Sequence, residues 1–107
     1  MSDESPDRIR HKVPPGMKIP GVFKRLLVFC GPYIQAGGGE MEPNEFCCDG
    51  IKKNMSPGIC EFVPPFVEQI VSMKKLVYVA DKCGLPLAPG TKCGSYTVPP
   101  SPLSLGA

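Results

Sequence analysis

The chain has 107 residues, a length that allows one domain. Its 12 glycines and 14 prolines make up close to a quarter of the sequence, yet 42% of the residues are hydrophobic, too many for a disordered polymer. Twelve Lys and Arg against ten Asp and Glu leave a net charge of +2, no strong field toward nucleic acid, and the single histidine, His11, leaves almost no material for a Ser-His-Asp or Cys-His site.

Residues 1–20 mix both charges with four prolines and read as a disordered N-terminal arm. They contain no apolar core of a secretory leader, and residue 2 is Ser, which excludes an N-myristoylation signature. From Gly21 the pattern changes. Val22, Phe23, Leu26, Leu27, Phe29 and Cys30 recur at helical spacing around Lys24 and Arg25, although Lys24–Phe29 also fits a short strand. Pro32 is expected to kink or end this element, and Gly37–Gly39 to stop it. Asn44 is a suitable N-cap for a second helix over Glu45–Asn54, with Phe46, Cys47 and Ile51 inward and Lys52 and Lys53 near its end.

Ser56-Pro57 opens a further helix, which Pro64 and Pro65 break. Phe66, Val67, Ile70, Val71, Met73, Leu76, Val77 and Ala80 then keep one helical period to Cys83, closed by Gly84 and Pro86. Beyond Gly84 the chain reads as a loop. The longest apolar runs, Leu26–Cys30 and Leu76–Ala80, fall far short of the roughly 20 residues of a bilayer span, so the chain is expected to be soluble. The resulting fold class is all-α, with three or four helices over residues 21–98, a long C-terminal loop, and a flexible tail at 99–107.

Six cysteines, at positions 30, 47, 48, 60, 83 and 93, read as a disulfide framework, with buried free thiols as the alternative. Zinc or redox chemistry would call for Cys-x-x-Cys spacing, which is absent. On a helix, the neighbours Cys47 and Cys48 point about 100° apart, so they should reach two different elements. Six cysteines allow 15 pairings, and residue spacing alone leaves the choice open. A framework of this kind implies an oxidising compartment, in tension with the missing leader.

The run Cys30-Gly-Pro-Tyr33, then Gly37-Gly-Gly39, then Phe46-Cys-Cys-Asp-Gly-Ile51 resembles the plant non-specific lipid transfer proteins, whose pattern has Cys-x-x-Tyr, a glycine-rich loop and Cys-Cys-x-Gly. Val79–Gly84 and Gly90–Pro99 are similar to the C-terminal part of that family. The family has eight cysteines. Here one near the start of the first helix is absent, and Phe62 stands where the second Cys of a Cys-x-Cys belongs. In one pairing scheme of the family those two are partners, which implies the bonds Cys30–Cys47, Cys48–Cys83 and Cys60–Cys93 in this chain.

The resemblance further implies a disulfide-stapled four-helix bundle around a lengthwise hydrophobic tunnel closed by the C-terminal segment. The function it implies is non-catalytic binding and transfer of a fatty acid or lysophospholipid by a secreted, apoplastic, monomeric protein that needs no cofactor or metal and touches membranes transiently. On this reading the lining comes from Leu27, Tyr33, Ile34, Phe46, Ile51, Phe62, Phe66, Ile70, Val77, Leu87, Tyr96 and Val98, with ordinary core packing as the alternative for each. Tyr96 stands out, since a phenol at a cavity mouth offers both an apolar face and a hydroxyl. Inhibitors of amylases and proteases share this superfamily, and in that reading Leu85–Lys92 is the exposed inhibitory loop. Lys24-Arg25, Lys52-Lys53 and Lys74-Lys75 read as solvated helix faces, with lipid phosphate or an anionic membrane as the other possibility. Glu40, Glu42 and Glu45 read as a flexible acidic loop.

Overall fold

The computed structural model describes residues 18–100; the remainder of the N-terminal arm and the residues after Pro100 lie outside them. Helix α1 spans Gly21–Ile34, α2 Glu45–Asn54 and α3 Met73–Lys82, with short 3₁₀ turns at Pro57–Cys60 and Pro65–Gln69. Strands β1 (Lys92–Cys93) and β2 (Tyr96–Thr97) form an antiparallel pair, with Lys92 opposite Thr97 and Cys93 opposite Tyr96. The fold is thus all-α and disulfide-stapled, with three α-helices among the described residues.

Helix α1 buries Phe23, Leu26, Cys30 and Ile34, a stripe at helical spacing that settles the helix-or-strand ambiguity. The packed chain starts slightly before it, since Ile19 is buried. Pro32 neither ends nor breaks α1, which runs to Ile34. Pro32 lies on the exposed side, one turn after exposed Val28, so the carbonyl left without an N–H donor is on the water-facing side. Asn44 caps α2 as its sequence predicts, its Oδ1 accepting from the Cys47 N–H at 2.9 Å.

The helical period running from Phe66 to Cys83 is not one helix. It splits into the second 3₁₀ turn, which Ile70 closes in a helical conformation, an extended stretch at 71–72 bridged to Gln35, and α3. The extended stretch takes its hydrogen bonds from the end of α1: the Ala36 N–H donates to Ile70 O at 2.7 Å and the Ser72 N–H to Ile34 O at 2.8 Å. Ser72 Oγ then accepts from the Lys75 N–H and caps α3. Apolar periodicity registers which side is buried, and it does not register that a distant segment supplies better backbone partners. At the other end, Gly84 adopts φ +91°, with Leu85 N–H donating to Ala80 O and Gly84 N–H to Asp81 O, a Schellman closure.

The segment after Gly84 is more ordered than a loop. Its hairpin turns at Gly94-Ser95, with Gly94 at φ +59°, and continues through Val98 N–H to Thr91 O and Gly90 N–H to Val98 O. Gly94 N–H also donates to Cys60 O, which ties the hairpin to the first 3₁₀ turn.

Candidate functional site

Three disulfides set the frame. Cys30–Cys47 joins α1 to α2, Cys48–Cys83 joins α2 to the end of α3, and Cys60–Cys93 joins the first 3₁₀ turn to β1. These are the pairs that the resemblance implies, and the neighbours Cys47 and Cys48 reach two separate elements because successive helical side chains diverge. None of the six sulfurs is a free thiol.

Inside this frame the twelve residues named from the sequence divide into three groups. Ile34, Ile51, Ile70, Val77 and Val98 are buried in the core. Leu27, Tyr33, Phe66, Leu87 and Tyr96 are half-buried and pack against that core from α1, the second 3₁₀ turn and the C-terminal segment. Phe46 and Phe62 point elsewhere, at 55% and 76% exposure. Phe46 begins the first turn of α2 on the side toward α1, where its ring meets Phe29 with centroids 4.8 Å apart. Phe62 follows the first 3₁₀ turn in an irregular segment and faces solvent.

Two polar contacts fix the segments around the half-buried group. Glu68 of the second 3₁₀ turn accepts from Ser95 N–H at 3.0 Å and from Ser95 Oγ–H at 2.6 Å, pinning the hairpin turn. Gly94 is required there by its positive φ and also by space, since a Cβ would lie 2.7 Å from Glu68 Oε2. Lys75 is the second. Its expected place on a solvated face is wrong: it is 6% exposed, and its ammonium donates to the carbonyls of Gln35, at 3.0 Å, and Gly37. The cation thus closes the C-terminal end of α1 and holds the first glycine of the Gly37–Gly39 run, where unpaired carbonyls and the helix dipole favour positive charge. The available signal was its position four residues before buried Val79, on one side of α3. Its neighbour Lys74 is exposed, as are Glu40, Glu42 and Glu45.

Among the described residues no helix is long and apolar enough to cross a membrane, and no group of three side chains is placed to hold a metal ion. The features present are a stapled apolar core, a rim of half-buried aromatic and aliphatic side chains, and a pinned C-terminal segment.

Comparison with known proteins agrees with this arrangement. A family model described as probable lipid transfer matches residues 21–93, from the first residue of α1 to the last of β1. Neither curated proteins nor solved structures gave a significant match. Since the match covers more than half of the chain and includes all six bridging cysteines, the protein belongs to the lipid-transfer family.

Proposed function

We propose that the protein is a non-catalytic carrier that takes up one fatty acid or lysophospholipid in an internal apolar tunnel and releases it at a membrane. The observation that carries this reading is the family match over residues 21–93. It is supported by the half-buried Leu27, Tyr33, Phe66, Leu87 and Tyr96, which offer apolar surface beside the core from separate elements. Each methylene moved from water into such surroundings contributes about 0.8 kcal/mol, so an acyl chain needs no charged anchor to bind. Tyr96 adds a hydroxyl able to meet a polar head. Uptake and release make and break no covalent bond.

The staples suit this task. A domain of this size gains only a few kcal/mol from burial alone, and crosslinks free some apolar side chains from close packing. Disulfides persist in oxidising surroundings, which supports an extracellular place of work, the apoplast if the chain comes from a plant. We take the working form to be a monomer.

The test is displacement of a fluorescent fatty-acid probe by lysophospholipid, with oxidised protein and a reduced control. Saturable binding that is lost on reduction is expected. A folded, oxidised protein that binds no probe would overturn the carrier reading. Inhibition of an amylase or protease through Leu85–Lys92 would then be the reading to pursue.

A further inference from the structure

Helices α1 and α2 run antiparallel. The Arg25 Nε–H of α1 donates to Asn54 Oδ1 at the end of α2, at 2.8 Å, while Phe29 meets Phe46 at the start of α2 and Cys30 is bonded to Cys47. The beginning of α1 therefore lies beside the end of α2, and this end of the pair carries Lys24, Arg25, Lys52 and Lys53, all exposed. One turn after Lys24 comes Val28, 73% exposed, and Phe46 of α2, 55% exposed, lies against the half-buried Phe29 that packs between the helices. Of the exposed acids of α2, Glu45 stands in its first turn and Asp49 midway, one turn before Lys52 and Lys53, which leaves the cations in excess on the pair.

Helix stability does not account for this layout. Lys52 and Lys53 sit at the negative end of the α2 dipole and are favoured there, but Lys24 and Arg25 sit in the first turns of α1, where the dipole disfavours cations and the first turn itself holds no acid. Four cations gathered at one end of the helix pair, two of them near the positive terminus of α1, are complementary to an anionic occupant. An exposed valine and an aromatic pair directly beside them add an apolar requirement that a soluble polyanion does not meet. Cations on flexible stems bordering aromatic and aliphatic side chains are the composition of segments that settle into the headgroup boundary of an anionic bilayer.

We infer that the outward face of the α1–α2 pair docks the protein on an anionic lipid surface. Val28 and the Phe29–Phe46 pair enter the headgroup boundary, and Lys24, Arg25, Lys52 and Lys53 meet lipid phosphates. The inference deepens the carrier reading and rests on it for its purpose, since a carrier exchanges cargo at membranes, but the face and the cargo site are separately measurable.

The test uses the full oxidised chain and flotation with mixed phosphatidylcholine–phosphatidylglycerol vesicles, with pure phosphatidylcholine vesicles alongside. Binding to the anionic vesicles that weakens with added salt is expected. Lys52→Glu/Lys53→Glu should lower vesicle affinity about tenfold or more, and Val28→Asp about tenfold. Both variants should bind the fatty-acid probe like the parent protein, while Lys74→Glu, on α3, should bind vesicles almost unchanged. Three results would overturn the proposal. The first is no vesicle binding by protein that still takes up the probe. The second is a loss with Lys74→Glu as large as that from a single reversal at Lys52 or Lys53, which would mean net charge rather than this face. The third is a dimer in sedimentation, abolished by Val28→Asp, without vesicle binding, which would give the face to a second copy of the chain. Vesicle binding without probe uptake would sink the carrier reading and leave the docking face standing.

Discussion

At the scale of single residues, Gly50 shows how the Cys-Cys-x-Gly run serves packing. A Cβ at this position would collide with the Cβ and ring of Phe29, so only glycine lets α2 approach α1 this closely. Gly50→Ala forces one helix away from the other, and overpacking of this kind costs about 2 kcal/mol. For a domain of this size that corresponds to a fall in Tm of about 10 °C, read from the helical circular dichroism signal. Gly58→Ala is the matched control, because nothing lies within 4 Å of the added Cβ, and it should leave Tm within a few degrees. Equal effects at the two glycines would show that α1 yields to the added methyl. Lys75 illustrates the same scale with a charge. Its side chain is buried, and its ammonium donates to the carbonyls of Gln35, the C-cap of α1, and of Gly37 just beyond it.

At the scale of elements, the C-terminal hairpin depends on groups supplied by others. Two residues per strand give too little pairing for independent stability. Glu68 holds its turn through both oxygens, and Cys60 contributes a carbonyl to Gly94 as well as a sulfur to Cys93. Glu68→Ala removes two charge-assisted bonds at a partly exposed site, an effect of about 1 kcal/mol after solvent screening. The expected outcome is amide exchange about fivefold faster at Ser95, with little change in global Tm because the disulfide still anchors β1. Unchanged exchange at Ser95 would mean that the bond to Cys93 alone orders the turn.

At the scale of the whole molecule, the disulfides close sequence separations of 17, 35 and 33 residues. Loop-closure entropy assigns each of them about 3–4 kcal/mol, comparable to what burial alone gives a chain this short. Removing Cys60–Cys93 as the pair Cys60→Ala/Cys93→Ala should lower the unfolding free energy, read from denaturant titration, by about 3 kcal/mol and release the C-terminal segment first. Limited proteolysis then cuts between Gly84 and Pro100 before it cuts the helices. Simultaneous cleavage throughout the chain would show that this bridge stabilises the core as a unit rather than its covering segment.

The sequence by itself determined the local chemistry: the Asn44 cap, the glycine closure of α3, the buried stripe of α1, and the divergence of Cys47 and Cys48 to separate partners. Each of these depends on neighbours within a turn or two, so residue type and spacing suffice. The disulfide pairs were legible only through the resemblance, since spacing leaves many pairings open. Burial of the residues on regular apolar stripes was readable, whereas the expected inward placement of Phe46 gave way to an exposed one, because a large apolar side chain carries no mark of which element will cover it. Only the tertiary structure decided that Val71–Ser72 would be extended, because the backbone partners on either side of Val71 are Ala36 and Ile34, distant in the chain. It likewise decided that Lys75 would be buried and Lys74 exposed, since a cation leaves water only where carbonyls from another segment converge to receive it.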